Sequence, residues 1–174
     1  MGQLRLQLGD IVSMSVEAIV NSTDESLLAG GPVHAAIHRA AGPGLRDECV
    51  LIRRCPTGEA RITDGHGLTA RYVIHTVAPM WNSGGESERK ALESCYQNAL
   101  RLAEARGVRT LAFPSIGSGL QPQIPLPLDK AAPIAIQTIH SFLANHALPE
   151  QVTLVCFDPP TYMAYQKAIK EVLT

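Results

Sequence analysis

The sequence has no excess of charge of either sign and no long apolar run, and each absence excludes a class of function. Lys and Arg number 15 against 16 Asp and Glu, a formal net charge of −1, and they form no local basic cluster. Because duplex DNA is bound largely through cationic side chains on its phosphates, we expect no duplex DNA partner. No apolar stretch approaches the roughly 20 residues of a membrane-crossing helix, and no secretory signal is visible. We therefore expect a soluble, cytoplasmic protein with no membrane partner.

Paired cysteines and the common nucleotide motifs are also missing. The four cysteines, at positions 49, 55, 95 and 156, form no CxxC pair, which argues against a disulfide framework. Neither a GxGxxG fingerprint nor a GxxxxGKS/T phosphate loop is present, so a dehydrogenase or an NTPase is disfavoured. With 174 residues, the chain fits one domain.

Apolar patterning predicts strands that alternate with helices. Leu4, Leu6 and Leu8 alternate with polar residues, as in a strand with one buried face. Short runs rich in β-branched residues are typical of central strands of a parallel sheet. This order predicts an α/β protein, a three-layer sandwich with a largely parallel sheet and a ligand crevice at the carboxyl ends of its strands. We predict strands at 4–8, 18–20, 60–63, 72–74, 110–113 and 152–157, and helices at 33–41, 87–106, from Asp129 with Pro133 in the first turn, and 164–173.

Two loops carry glycines where a strand is expected to lead into a helix. The first spans residues 21–33 and contains Gly30 and Gly31, and the second spans 114–120. Glycine lets backbone N–H groups approach a ligand, and a helix N-terminus adds positive potential, so such loops suit a pyrophosphate. Either loop alone is also typical of a plain turn, but two in one small sheet favour a phosphate-binding role.

Several motifs then stand in a specific order and spacing along nearly the whole chain. They are residues 9–11 (GDI), 18–21 (AIVN), 37–42 (IHRAAG), 55–60 (CPTGEA), 72–77 (YVIHTV) and 145–152 (NHALPEQV). In this order they resemble the MacroD-type macrodomains, which include O-acetyl-ADP-ribose deacetylases and mono-ADP-ribosyl hydrolases, and the last motif is similar to the bacterial deacetylase branch. The resemblance implies one macrodomain over residues 1–174, a three-layer α/β/α sandwich with a mixed, largely parallel sheet. It also implies ADP-ribose or a related adenine nucleotide as ligand, ADP-ribosylated proteins as further partners, and no cofactor.

The resemblance assigns residues to the adenine and diphosphate subsites. Asp10 matches the acid that accepts a hydrogen bond from the adenine amino group, Ile11 matches its neighbour, and Phe157 matches an aromatic that packs on adenine. From the residues alone, Asp10 also fits a turn that ends a strand, and Phe157 also fits ordinary core packing. The diphosphate-binding residues implied by the family are Gly30, Gly31, Val33, Ser115, Gly117, Ser118, Gly119 and Leu120.

The sequence departs from the family at the distal ribose. The family places an Asn in the first loop and, ten positions further on, an Asp that orients or activates water; Asp24 and His34 stand here instead. Asp24 can accept but not donate hydrogen bonds, and it brings negative charge towards two phosphates. His34 either acts as a general base or only fills space. The distal-ribose residues are predicted to be Asn21, Asp24 and Gln121, where Gln121 replaces an aromatic, and the candidate catalytic residues are His34 and Asp24.

Two further histidines bear on the prediction. His34 and His38 have the four-residue spacing of paired metal ligands, but no acidic or cysteine partner fits, so we predict no metal. His75, within an apolar strand, is interpreted as structural. We predict an ADP-ribose-binding domain with weak or absent hydrolase activity. The alternatives are an active hydrolase of O-acetyl-ADP-ribose or of mono-ADP-ribosylated protein, and a domain for another ADP-containing nucleotide.

Overall fold

Strands and helices alternate along most of the chain in the computed structural model, which describes residues 2–81, 84–117 and 127–174. All six predicted strands are present. The strands are β1 (Gln3–Leu8), β2 (Ala18–Ser22), β3 (Ala60–Asp64), β4 (Tyr72–Thr76), β5 (Thr110–Phe113) and β6 (Gln151–Cys156). The helices are α1 (Pro32–Ala41), α2 (Pro43–Ile52), α3 (Glu86–Ala105), α4 (Leu128–Asn145) and α5 (Pro159–Leu173).

The strands form one sheet in the order β1-β6-β5-β2-β4-β3. Every neighbouring pair is parallel except β3 and β4, which are antiparallel. The predicted mixed, largely parallel sheet is therefore confirmed. Because β1, β6, β5, β2 and β4 run in the same direction, the loops that follow them emerge at one edge of the sheet, where α/β proteins bind ligands.

Helices cover both faces of the sheet, so the protein is a three-layer sandwich as predicted. Val20 and Ile74 belong to the core under α3, α4 and α5, whereas Ile19 and Val73 belong to the core under α1 and α2. Side chains alternate between the faces of a strand. Asn21 follows Ile19 by two positions and His75 follows Val73 by two, so both polar residues point to the α1 and α2 side.

Helix α2 was not predicted. Gly42-Pro43-Gly44 has the composition of a turn, although Leu45, Cys49 and Ile52 follow it at helical spacing. In the structure Gly42 ends α1 with a φ of 83°, and Pro43 begins α2 at once. Leu45 and Cys49, four residues apart on one helix face, are fully buried against the sheet. Tertiary packing of this face therefore stabilises a helix that begins directly after the turn.

The expected position of Pro133 was wrong. Helix α4 begins at Leu128, so Pro133 lies inside the helix and not in its first turn. An interior proline removes one backbone hydrogen bond, here the bond to the carbonyl of Asp129. The buried face of α4, which includes Ala132 and Ile136 at 0% exposure, holds the helix in place despite that loss. Helix α5 also begins earlier than predicted, at Pro159, with Asp158 as its N-cap.

Two further findings concern the cysteines and the helices. All four cysteines are free thiols and are buried. Within the described ranges, none of the helices combines the length and apolar character that crossing a membrane requires.

Candidate ligand-binding site

The first strand and the last strand bring two of the predicted adenine-binding residues to the same edge of the sheet. Strand β1 pairs in parallel with β6, Leu8 opposite Cys156, and the Gly9 amide donates to the Cys156 carbonyl at 2.8 Å. Asp10 is the residue after Gly9, and Phe157 is the residue after Cys156. These residues are 147 positions apart in the sequence, and the sheet register makes them neighbours at the carboxyl edge.

The Asp10 side chain begins a single 3-10 turn at Ile11–Ser13. One carboxylate oxygen of Asp10 accepts a hydrogen bond from the Val12 amide at 3.0 Å, which is an N-cap interaction. Ile11 is buried at 5% exposure, whereas Asp10 is exposed. The structure thus shows the turn-forming role that the sequence left open, and it leaves the carboxylate at the surface. Adenine recognition by Asp10 and Ile11 stays a prediction.

The Phe157 ring lies on the surface and does not pack in the core. Its exposed fraction is 61%, although the residue before it, Cys156, is at 1%. The core-packing interpretation of Phe157 was therefore wrong. An exposed aromatic ring at the end of a strand offers a flat apolar face to a planar ligand. That property is the one an adenine subsite needs.

The first glycine-rich loop leads into the N-terminus of α1. Gly31 caps this helix without any side-chain hydrogen bond, and Pro32 at the first position has no N–H group. The amides of Val33 and His34 therefore head the helix, where backbone donors and the helix dipole favour an anion. Gly30 packs closely on the helix, since a Cβ atom there would lie 2.5 Å from the His34 Cβ. Only glycine fits this contact without a shift.

The second loop follows β5, which is the neighbour of β2 in the sheet. The Ser115 hydroxyl lies 2.8 Å from the Tyr165 hydroxyl, and the Ile116 amide donates to the Tyr96 hydroxyl at 3.3 Å. Gly117 has a φ of 76°, a conformation that favours glycine. The other residues predicted for this loop, Ser118, Gly119, Leu120 and Gln121, lie outside the described residues, so their assignments to the diphosphate and the distal ribose stay predictions.

Asp24 is engaged within its own loop. One of its carboxylate oxygens accepts hydrogen bonds from the Ser26 amide at 3.1 Å and from the Ser26 hydroxyl at 2.6 Å. The Asp24 amide donates to the Ala29 carbonyl at 2.9 Å, which closes the loop. Leu27, with a φ of 68°, turns its side chain fully into the core. The bond from the Ser26 amide to the Asp24 carboxylate is typical of Asp in loops, and it directs the carboxylate towards Ser26.

His34 and Asn21 lie in the interior, behind the first loop. His34 is at 6% exposure and Asn21 at 0%. The Asn21 side-chain amide donates to His34 Nδ1 at 3.1 Å and to His75 Nδ1 at 3.2 Å. Asn21 and His75 are directly opposite each other on β2 and β4. Both amide hydrogens of Asn21 are thus engaged inside the protein, and the structure does not bring this side chain to the surface where a ribose would bind.

His75 completes a hydrogen-bonded chain into the sheet, which confirms its structural role. Its Nε2 lies 3.0 Å from the Thr63 hydroxyl, and that hydroxyl donates to the Val73 carbonyl at 3.4 Å. The His38 ring lies beside the cluster, 4.3 Å from the His34 ring and 6.4 Å from the His75 ring between centroids. The Asn21 side-chain oxygen and His38 Nε2 are buried without a hydrogen-bond partner among the described residues.

Burial keeps the three histidines neutral. It lowers the pKa of His34 to about 4, with a further decrease from His38 and opposing increases from a hydrogen bond to the Leu28 backbone and from Asp24. It also lowers the pKa of His75 to about 3, and there His38 and His34 act in the same direction. The pKa of His38 is lowered by burial and by Arg46. Over the described residues, no group of three or more His, Cys, Asp or Glu has a geometry that can hold a metal ion.

The network around Asn21 was not predicted, although a signal for it exists in the sequence. Asn21 and His75 each end an apolar run, in AIVN and YVIH, and each is the one strongly polar side chain of its run. Two buried polar residues at equivalent positions of neighbouring strands require partners, and they satisfy each other first. What the sequence does not supply is the register that places them opposite each other.

A largely parallel sheet covered by helices on both faces, with glycine-rich loops at its carboxyl edge, defines a three-layer α/β/α sandwich with an edge-located ligand site. Residues 20–135 match the model of the Macro domain family. The chain belongs to the macrodomain family. A macro domain-containing protein of Methanosarcina mazei is 44% identical over 171 residues, which cover 98% of this chain and 90% of the relative. An O-acetyl-ADP-ribose deacetylase of Salmonella newport is 47% identical over 173 residues, with 96% and 95% covered.

Solved structures with the same fold include ligand complexes. The Oceanobacillus iheyensis macrodomain with ADP has a TM-score of 0.91 and 37% identity, and the match covers 99% of this chain and 92% of that chain. The Trypanosoma brucei macrodomain in complex with ADP-ribose has a TM-score of 0.87 and 35% identity, and the match covers 95% and 68%. The predicted family and fold are thereby confirmed.

Proposed function

We propose that the chain is a single, cytoplasmic macrodomain over residues 1–174 that binds ADP-ribose, free or protein-linked, and hydrolyses its derivatives weakly or not at all. Relatives with about the same length and fold support the ligand class, since two solved macrodomains hold ADP or ADP-ribose. The exposed Asp10 carboxylate and Phe157 ring at one end of the edge suit a purine, because they offer a hydrogen-bond acceptor and an apolar face.

The diphosphate is assigned to the first loop and the N-terminus of α1. Gly31 leaves the first amides of the helix without a side-chain cap, so Val33 and His34 can donate to phosphate oxygens. Gly30 lets the loop backbone approach α1 closely. Ser115 and Gly117 follow β5, the strand next to β2, which supports a second wall for the same group.

The observation that carries the prediction of weak turnover is the state of the two candidate catalytic residues. Asp24 accepts two hydrogen bonds from Ser26, and His34 Nδ1 accepts one from Asn21. With Nδ1 occupied, the proton of the neutral ring lies on Nε2, which then has no lone pair for a water. A general base needs a free acceptor within hydrogen-bond reach of the water. The His34 ring therefore offers none, whereas both Ser26 bonds go to one Asp24 oxygen and leave the other free, so any protein base for turnover would have to be Asp24.

An active hydrolase is the second candidate, and the names of relatives favour it. Proteins 46–47% identical over 96% of the chain are called O-acetyl-ADP-ribose deacetylases. A water held by the ligand's own phosphate would not require a protein base. This candidate and the binding domain share the same ligand and differ only in turnover.

Calorimetry with ADP-ribose and with ADP tests the binding proposal. We expect binding of both, and we expect at most a small preference for ADP-ribose if Asp24 weakens the distal-ribose subsite. Absence of binding at millimolar ADP-ribose would overturn the assignment. Acetate release from O-acetyl-ADP-ribose then separates the two candidates. Acetate release by the wild type well above the uncatalysed rate would establish the hydrolase and contradict the binding-only proposal, and an equal rate in the His34→Ala variant at saturating substrate would remove His34 from its mechanism.

A further inference from the structure

A directional chain of hydrogen bonds connects the sheet to the first loop. The Thr63 hydroxyl donates to the Val73 carbonyl, and His75 Nε2 lies 3.0 Å from the Thr63 oxygen. Since that hydroxyl's hydrogen is already engaged, His75 is the donor. Its Nδ1 accepts from Asn21, whose second amide hydrogen goes to His34 Nδ1. The chain therefore fixes one tautomer, with Nδ1 unprotonated, in both histidines.

The end of this chain contacts the loop that is assigned to the diphosphate. His34 stands in the first turn of α1 and interacts with the Leu28 backbone. A Cβ atom added at Gly30 would lie 2.5 Å from His34 Cβ and 2.7 Å from its Cγ. The Gly30 backbone is thus packed against the base of the His34 side chain, so the position of that side chain limits where the loop can lie.

We propose that Asn21 and His75 are positioning residues, which act through His34 to hold the Gly30–Gly31 loop and the N-terminus of α1 in a conformation ready for a diphosphate. This inference rests on the proposed function, because it concerns the same site. It gives Asn21 a role in the interior in place of the ribose contact expected from sequence. It also gives His34 a structural role at the position where the family resemblance implies an Asp that orients or activates water.

The position of the rings explains why the chain works with neutral imidazoles. His38 on α1 faces both other histidines, and Arg46 on α2 faces His38. Cys49 on α2 lies 3.9 Å from His75 Nε2, and Asp24 is the acid that faces His34. A proton on either Nδ1 would point at the Asn21 amide hydrogens, donor against donor. The network therefore requires that both Nδ1 atoms stay unprotonated.

Affinity for ADP-ribose in the Asn21→Ala variant is the main test. We expect a loss of about 10-fold or more, because the hydrogen bond from Asn21 to His34 is removed together with the bond from Asn21 to His75 that supports it. Asn98→Ala is the matched control. Asn98 lies on α3, away from the first loop, and its side-chain amide donates to the Gly58 carbonyl at 2.8 Å. The control should lose stability but keep its affinity. If both variants bind ADP-ribose as the wild type does, the positioning role is excluded.

Two further measurements keep the inference testable if Asn21→Ala does not fold. Thr63→Val removes the outer hydrogen bond to His75, together with the bond to the Val73 carbonyl, and preserves the side-chain shape, so a smaller loss of affinity is expected. Imidazole nitrogen shifts of the wild type should show unprotonated Nδ1 atoms in His34 and His75 at neutral pH. Wild-type affinity in a folded Thr63→Val protein, or a proton on either Nδ1, would overturn the proposal.

Non-additivity is the signature of action through His34. The His34→Ala and Asn21→Ala effects on affinity should not add in the double variant, because both remove the same support. Additive losses would show that Asn21 does not act through His34 and would overturn the proposal. A wild type that fails to bind ADP-ribose at all would instead overturn the proposed function.

Discussion

The two ends of the candidate site differ in where their polar groups are used. At the adenine end, the Asp10 carboxylate and the Phe157 ring are exposed at the tips of neighbouring strands. At the distal end, the Asp24 carboxylate is bonded to Ser26, and the His34 ring is bonded to Asn21 in the interior. The same edge of one sheet therefore presents exposed side chains that a ligand can reach at one end, and side chains that hydrogen-bond to each other at the other end.

This difference has an energetic basis. A buried polar group without a partner costs roughly 1–3 kcal/mol. The Asn21 amide group and both His75 nitrogens are bonded to neighbours without any ligand, although the Asn21 side-chain oxygen is not. An aspartate at position 34, which the family resemblance implies, would need solvent for its charge. A histidine can remain neutral and bury itself. Histidine in place of aspartate at position 34 therefore allows this side chain to be buried at the distal end.

The largest expected effect comes from rebuilding the distal end. The Asp24→Asn and His34→Asp double variant restores the residue types that the family resemblance implies. We expect it to release acetate from O-acetyl-ADP-ribose about 100-fold faster than the wild type, because a positioned general base contributes 10²–10⁴-fold. Asn98→Ala is the control, because Asn98 lies outside the site and bonds the Gly58 carbonyl, and it should remain at the wild-type rate. No gain in a double variant that still binds ADP-ribose would show that turnover is limited elsewhere.

The pH dependence of the free energy of unfolding tests whether His34 and His75 are buried as neutral rings. The folded pKa values of His34 and His75 are about 4 and about 3, below an unfolded value of about 6.5. Between these pH values the unfolded chain binds more protons than the folded chain. The free energy of unfolding is therefore highest above about pH 6.5 and decreases as the pH falls. At pH 5 the loss is on the order of 2 kcal/mol for each histidine.

Chemical denaturation at about pH 7.5 and pH 5 measures this loss. In the His75→Gln variant the dependence on pH should be weaker, because one titrating ring is removed. A wild type that is equally stable at both pH values would contradict the buried, neutral cluster.

The smallest expected effect is at the open end. Phe157→Ala should lower ADP-ribose affinity by about 10-fold, since stacking of a base on an aromatic ring contributes roughly 1–3 kcal/mol. Met163→Ala is the matched control, because Met163 is another exposed apolar side chain, at 64% against 61% for Phe157. Neither change should affect stability much, as both side chains lie on the surface. Equal affinities of the two variants would remove Phe157 from the adenine subsite.

The fold was largely predictable because its signals are local. Alternating leucines marked β1, and short β-branched runs marked the central strands. Helix α2 was missed because Gly42-Pro43-Gly44 is typical of a turn, and the helical spacing of Leu45 and Cys49 is short and follows that turn directly. Pro133 was misplaced for a related reason, since packing of α4 outweighs the missing hydrogen bond.

The candidate site was predictable in its glycines and much less in its polar groups. A glycine indicates a close backbone approach by its residue type alone, and the loop that contains Gly30 and Gly31 leads into α1 as predicted. The hydrogen-bond partners of Asn21 and His34 depend on side chains 54 and 13 positions away, respectively. Such pairs follow from strand register, which no local pattern specifies.

The amino-acid sequence by itself determined the order of strands and helices, the glycine-rich loops and the presence of histidine where an acid was expected. Only the tertiary structure decided that this histidine faces inward, with Asn21 and His75 as its support, and that Phe157 faces outward. The reason is physical: hydrophobic periodicity is written along the chain, whereas the partner of a buried polar group is chosen by which elements pack against each other.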